Sequence, residues 1–153
     1  MYLSNLQSYL FGFTLIFFMG FVACEKSIDE LPTIEYGKPT LLGINESVNY
    51  KSTSDNHIKL KLLSIIDNFC PKEVACIVAG YAEVKLSVTD QNDHNVALSL
   101  FFGDYYGTPK KLGFKPDTLN FNLNQKAYRV ILKSIKSENN DKKLKAEIVL
   151  LEK

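Results

Sequence analysis

Apolar and polar residues alternate with a period of two over most of the chain after residue 39. This alternation is typical of β-strands with one buried face and one solvent-exposed face. The apolar positions fall in seven runs: Val48 and Tyr50; Ile58, Leu60 and Leu62; Ala82, Val84, Leu86 and Val88; Val96, Leu98, Leu100 and Phe102; Leu119, Phe121 and Leu123; Tyr128, Val130 and Leu132; and Leu144, Ala146, Ile148 and Leu150. No segment carries a helical stripe of any length, so the pattern predicts an all-β domain.

Short polar segments separate consecutive runs, as Gln91–His94 and Glu138–Asp141 do. Such segments are typical of turns between neighbouring antiparallel strands. Seven or eight short strands at this spacing favour an antiparallel β-sandwich, with an immunoglobulin-like form as the first expectation. A small β-barrel of the oligonucleotide- or lipid-binding kind is the second.

The first 23 residues contain no Asp, Glu, Lys or Arg, and they include an apolar run from Leu10 to Ala23. This run is shorter than the roughly 20 apolar residues of a membrane-spanning helix and has the length of a signal-peptide hydrophobic region. The segment Phe21-Val22-Ala23-Cys24 resembles a bacterial lipoprotein signal, in which Cys24 would receive the lipid. An uncleaved anchor helix, or a soluble protein with a buried amino-terminal helix, remains an alternative.

Three parts are therefore expected: a signal peptide over 1–23, a flexible tether over 24–38 and a β-sandwich domain over 39–153. The tether is predicted because Glu25–Lys38 is polar and acidic and contains Pro32 and Gly37. An ordered first strand at Thr33–Tyr36 is the alternative. With 153 residues, of which 46% are hydrophobic, the chain can bury one core.

Charge argues against a nucleic-acid partner. The 18 basic and 17 acidic residues give a net charge of +1, and neither sign forms a long run.

Two of the three cysteines, Cys70 and Cys76, lie in the segment from Asp67 to Gly80, which joins two predicted strands. If Cys24 carries lipid, these two remain as an even pair in an oxidising compartment, where a disulfide persists. Closing this small ring would stabilise the fold by about 2 kcal/mol in the chain-entropy model. A zinc site or a redox pair is the alternative, but zinc needs further ligands and a Cys-x-x-Cys motif is absent.

The segment from Phe101 to Phe114 is the predicted contact surface. Glycines and a proline surround Tyr105 and Tyr106 and indicate a loop. Tyrosine offers a large, rigid contact area with a polar tip, and Lys110 and Lys111 would add a positive rim suited to an anionic partner. The alternative is that the two tyrosines cover the open end of the sandwich.

No catalytic motif is recognisable, and no cofactor or metal is expected. Four carboxylates, those of Asp67, Glu73, Asp104 and Asp117, could supply an acid–base pair. The simpler interpretation is that Asp67 caps a turn and that the other three are solvated loop residues. We therefore expect no enzymatic activity.

The segments Ile66–Pro71 and Val74–Val84 resemble the core motif of small uncharacterised lipoproteins of the Bacteroidota. In that family the motif reads Asp-Ser-Arg-Cys-Pro, a few residues, Cys, an apolar residue, Trp, Ala and Gly, followed by an alternating strand. Phe69 stands here at the position of the Arg, and Val78 at that of the Trp. The resemblance extends loosely over 40–151 and implies a lipoprotein without an assigned activity.

Two classes of function follow from these expectations. The first is a binding module that a lipid at Cys24 anchors at the outer membrane of the bacterial envelope, on the periplasmic side or at the cell surface, and that contacts a protein or glycan. The second is a small inhibitor or immunity-type protective protein that blocks a secreted hydrolase or toxin.

Overall fold

The computed structural model describes residues 31–51, 57–71, 73–104, 115–138 and 143–153, which form nine strands and no helix. None of these residues belongs to a helix long and apolar enough to cross a membrane. The strands are β1 (Thr33–Glu35), β2 (Pro39–Gly43), β3 (Ser47–Lys51), β4 (His57–Phe69), β5 (Gly80–Asp90), β6 (Asn95–Gly103), β7 (Asp117–Leu123), β8 (Lys126–Glu138) and β9 (Lys143–Glu152). The expected all-β class is confirmed.

The strands form two sheets that pack face to face, which confirms the β-sandwich. One sheet has the order β1-β3-β4-β5-β6 and the other the order β2-β9-β8-β7. Apart from the parallel pair β1–β3, every pair is antiparallel. Strands β3 to β6 follow one another as a meander in the first sheet, and β7 to β9 do so in the second. The edge strands β1 and β2 lie beside the non-consecutive strands β3 and β9.

The core consists of the inward faces of both sheets. Every one of the seven alternating runs contributes, and the largest fully buried side chains are Tyr50, Ile58, Leu60, Leu62, Leu86, Leu100, Leu132, Ile148 and Leu150. Polar residues occupy most of the intervening positions, as the period of two predicts, and Phe101, Ile131 and Val149 are apolar exceptions. Burial on this scale stabilises the fold by about 1.5–3 kcal/mol for each large aliphatic side chain.

The predicted tether needs a correction at its carboxyl-terminal end. Thr33–Glu35 forms β1, which pairs with β3, and Tyr36 stacks 6.2 Å from the ring of Tyr128. Tyr36 also lies 5.8 Å from Tyr50, so an aromatic cluster holds this segment against the core. The alternation of Ile34 and Tyr36 therefore indicates a strand, whereas the polar and acidic composition of the segment favours a tether. Residues 24–30 of the predicted tether lie outside the described residues.

Two long hairpins extend past their shorter neighbours. β4 and β8 each have 13 residues, and each carries a β-bulge, between Leu62 and Ser64 in β4 and between Leu132 and Ser134 in β8. The pairing of β4 with β3 stops at Lys61, and that of β8 with β7 stops at Leu132. We call the part of the first hairpin within residues 63–85 the disulfide arm, and the part of the second within residues 133–147 the second arm.

The two arms resemble each other in sequence and in register. The segments 62–65 and 132–135 read Leu-Leu-Ser-Ile and Leu-Lys-Ser-Ile. Leu62 is opposite Leu86 and Leu132 is opposite Ile148, which places the two bulges at equivalent positions. A bulge bends a strand and increases its twist. Both arms therefore depart from the regular sandwich at the same height, at one end of the domain.

Candidate functional site

The disulfide arm ends in a loop that Cys70 and Cys76 close. Their Cα atoms lie 6.0 Å apart, and the geometry fits the disulfide that the sequence predicts. The ladder of the hairpin continues into the loop, because the Cys70 amide donates to the Ala79 carbonyl at 2.9 Å. A turn in which the Val74 amide donates to the Pro71 carbonyl at 3.2 Å shapes the ring. The loop is therefore a fixed projection of the sheet.

Two glycines allow the base of this loop to pack closely. Gly80 has a φ of +82°, and Gly103 on the neighbouring strand β6 has a φ of +107°. A Cβ on Gly80 would clash with the Asn68 carbonyl oxygen and lie 2.8 Å from the Phe69 Cα, and one on Gly103 would lie 2.8 Å from the Phe69 Cε1. Only glycine tolerates both this φ and this contact distance. The loop thus sits on a tight junction of three strands.

The surface of the disulfide arm is unusually apolar. Of the seven large apolar side chains that are exposed among the described residues, five lie on this arm: Leu63, Ile66, Val74, Ile77 and Val78. Ile77, next to Cys76, is fully exposed, and Val74 is 58% exposed. Scattered apolar side chains are normal on a protein surface, whereas a group of them at a constrained tip is a candidate contact surface.

A cleft of about 980 Å³ lies between the disulfide arm and the second arm. Ile65 and Asp67 of β4 line one wall, and Lys143 and Leu144 of β9 line the other. Ile44 and Glu46, from the turn between β2 and β3, close its inner end. The cleft therefore combines apolar side chains with an acidic wall and a basic wall, and it continues the core outward to solvent.

Polar contacts hold the second arm in shape on the opposite side of the cleft. The Lys136 ammonium lies 2.9 Å from Glu147 Oε2, and the Ser134 hydroxyl donates to the same carboxylate at 2.8 Å. The hydrogen bond from Lys136, aided by that from Ser134, lowers the pKa of Glu147 below its ordinary value. These two hydrogen bonds therefore favour the charged form of the Glu147 carboxylate.

The other predicted site residues lie outside the described residues. These are Cys24, Tyr105, Tyr106, Lys110 and Lys111. The described chain stops at Asp104, whose amide donates to the Gly80 carbonyl at 2.8 Å, directly beside the disulfide loop. The described part of the predicted contact surface, residues 101–104, therefore ends next to the disulfide arm.

Two of the four candidate carboxylates, those of Asp67 and Asp117, accept hydrogen bonds from backbone amides. Asp67 lies within β4, opposite Ala82, and its Oδ1 accepts a hydrogen bond from the Phe69 amide at 3.0 Å at the end of the strand. The prediction that Asp117 is a solvated loop residue is wrong. Asp117 is 3% exposed, and its Oδ2 accepts a hydrogen bond from the Phe101 amide at 3.0 Å. No metal-binding group of three His, Cys, Asp or Glu side chains occurs in the described ranges.

Sequence reasoning missed the apolar residues of the site. The cysteines and Pro71 identify a loop that contains Val74, Ile77 and Val78. Apolar residues in a loop indicate exposed apolar side chains, and this pattern could have predicted the site. The cleft was also missed, because it depends on the arms that the two bulges create. A local sequence pattern does not show that β3 and β7 stop where the long hairpins continue.

Comparisons of the chain with protein-family models, with curated proteins and with solved structures find no match. The function is therefore proposed below from the geometry of the disulfide arm and its cleft.

Proposed function

We propose that this protein is a non-catalytic binding module that a lipid at Cys24 anchors in the bacterial envelope, and that the tip of the disulfide arm is its contact surface. The observation that supports the proposal most strongly is the group of exposed apolar side chains at a tip fixed by a disulfide. Exposed isoleucine and valine contribute little to the fold. Their burial against a partner would stabilise a complex by about 1.5–3 kcal/mol for each side chain.

The rigidity of the loop supports the same interpretation. A loop that the disulfide and the Cys70–Ala79 hydrogen bond already hold in one conformation loses little conformational entropy when it binds. A fixed apolar tip can therefore bind a protein with a small contact area. An inhibitor or immunity-type protein would use the same tip, and the identity of the partner distinguishes the two classes.

Replacing Ile77 by serine should reduce partner capture at least tenfold, because the apolar contact of a fully exposed side chain is lost. The measurement is capture from a membrane extract with tagged protein, quantified by mass spectrometry. Leu41→Ser is the matched control, since Leu41 is a 43%-exposed apolar residue on β2, away from the arm. Equal capture by both variants and the unaltered chain would contradict the proposal.

The anchor predicts that the mature chain begins at Cys24 and carries acyl mass there. Mass spectrometry of the membrane-extracted protein measures this directly. Cys24→Ala should leave the protein unprocessed or release it from the membrane fraction, while a Cys70→Ala and Cys76→Ala double variant should remain anchored. A mature protein that keeps its Met1 peptide would exclude this anchor.

A further inference from the structure

The disulfide arm has a free sheet edge. β3 pairs with β4 only as far as Lys61, and the last contacts on that side are the Leu62 amide to the Glu46 carbonyl at 3.0 Å and the Asn45 amide to the Leu62 carbonyl at 2.8 Å. Beyond Leu62, none of the described strands pairs with this side of β4. The other side of β4 stays paired with β5 as far as Phe69.

The register identifies which backbone groups face the free edge. In an antiparallel pair, the amide and carbonyl of every second residue point to the same side. The Cys70–Ala79 hydrogen bond places the even-numbered residues 64, 66 and 68 on the β5 side. The backbone groups of Ile65 and Asp67 therefore point away from β5, and they accept or donate no backbone hydrogen bond to another described residue.

The free edge borders the cleft, because Ile65 and Asp67 line it. An amide and a carbonyl on each of two alternate residues form a row of donors and acceptors that matches the backbone of an extended chain. An added strand would direct every second side chain into the cleft, toward Ile65 and Leu144, and the others toward solvent. This combination of a backbone row and a side-chain pocket is the basis of recognition by strand addition.

From these observations we infer that the protein binds an extended peptide segment of its partner as an added strand on β4, along residues 63–68. The segment carries apolar residues at alternate positions. This inference rests on the proposed function and deepens it, since it assigns the partner class and the mode of binding.

Charge disfavours one other occupant of this edge, and sequence disfavours a second. If two copies of the chain paired symmetrically through Ile65 and Asp67, the two Asp67 carboxylates would lie on the same face of adjacent strands, where like charges destabilise pairing. The segment 25–30 of the chain itself reads Glu-Lys-Ser-Ile-Asp-Glu, and with a single apolar residue it lacks the alternating apolar side chains that the cleft would accept. A partner segment has neither restriction.

Selection from a phage-displayed library of random twelve-residue peptides tests the inference, with the full chain in detergent micelles as the target. The selected peptides should have alternating apolar residues. In the isotope-labelled chain, amide exchange measured by NMR should be fast at Ile65 and Asp67 without peptide and at least tenfold slower with it. The amides of Ile66 and Asn68 should be protected in both states, because they donate to β5.

A pair of variants at one position isolates the backbone contribution. Asp67→Pro removes the amide that faces the free edge and leaves the β5 ladder intact, because proline is tolerated at a strand edge. Asp67→Ala keeps that amide and, like Asp67→Pro, lacks the carboxylate. Asp67→Pro should therefore bind the selected peptides at least fivefold more weakly than Asp67→Ala. Unchanged protection of Ile66 and Asn68 verifies that both variants are folded.

Several results would overturn the inference. They are a library without binders, peptides that leave the exchange of Ile65 and Asp67 unchanged, and equal affinity for the two Asp67 variants. Slow exchange of both amides without peptide would also overturn it. If the exchange rates did not change with protein concentration, a segment of the chain itself would occupy the edge. If the exchange became slower at higher protein concentration, a second copy would occupy it. If Ile77→Ser abolishes partner capture while Asp67→Pro and Asp67→Ala capture equally, the binding function stands and strand addition fails.

Discussion

Gly80→Ala should lower the free energy of unfolding by about 2–5 kcal/mol. Gly80 has a φ of +82°, which costs an alanine about 1–2 kcal/mol. The new Cβ would also clash with the Asn68 carbonyl and lie 2.8 Å from the Phe69 Cα. Both atoms belong to the backbone of the paired strand, so relief requires β4 and β5 to separate at the last pair before the disulfide loop. Overpacking of this kind costs about 1–3 kcal/mol.

Gly37→Ala is the matched control for this prediction. Gly37 has nearly the same φ, +81°, but its added Cβ would lie 3.5 Å from Leu151 Cδ2, an ordinary contact distance. We expect this variant to lose only the conformational contribution, about 1–2 kcal/mol. Thermal unfolding followed by circular dichroism measures both, at roughly 4 °C for each kcal/mol in a domain of this size. Equal melting temperatures for the two variants would show that the tight junction below the disulfide loop does not exist.

The sequence predicts the inward faces of the strands well, because the period of two depends only on local geometry. Val84, Leu86 and Val88 were expected on one buried face of β5, and all three are fully buried. The same reasoning succeeds for Leu98 and Leu100 on β6. Which strands become neighbours is a long-range property that this period does not encode. For this reason the sequence predicts the β-sandwich but not the strand orders, which are β1-β3-β4-β5-β6 and β2-β9-β8-β7.

Bulges mark a second limit of local patterning. After Leu62 the inward face of β4 continues at Ile65, so the phase of the alternation shifts by one residue. The sequence shows this shift as two adjacent apolar pairs, Leu62-Leu63 and Ile65-Ile66. Read without a bulge, Ile65 and Asp67 fall on the face of β4 opposite to that of Leu62, and so on the outward face rather than beside the cleft. The sequence therefore predicts the disulfide of the candidate site, but it does not predict the cleft.

Asp117 shows how the same alternation could have been extended. It precedes Leu119, Phe121 and Leu123 in steps of two, which assigns it to the inward face of β7. It was expected instead to be a solvated loop residue. The structure places its carboxylate between the edges of the two sheets. Oδ2 accepts a hydrogen bond from the Phe101 amide of β6 at 3.0 Å, and Oδ1 accepts one from the Thr118 amide at 2.8 Å.

This carboxylate links the two sheets at the end of the domain that carries the arms. Phe101 belongs to the edge strand of one sheet and Asp117 to the edge strand of the other. The Phe101 amide points away from β5, so the Asp117 side chain takes the place of a missing neighbouring strand. A hydrogen bond to a charged acceptor contributes about 1.5–3 kcal/mol, and a buried amide without a partner costs about 1–3 kcal/mol.

We therefore expect Asp117→Ala to lower the free energy of unfolding by about 2–3 kcal/mol, because it leaves the Phe101 amide without its acceptor. Asp117→Asn retains one side-chain oxygen and should lose about 1 kcal/mol. Thr118→Ala, at the adjacent exposed position, should change the stability by less than about 0.5 kcal/mol. Urea unfolding of the three variants gives the comparison, and amide exchange at Phe101 reports the lost hydrogen bond directly. If Asp117→Ala is as stable as Thr118→Ala and the Phe101 amide stays protected, the carboxylate does not join the two sheets.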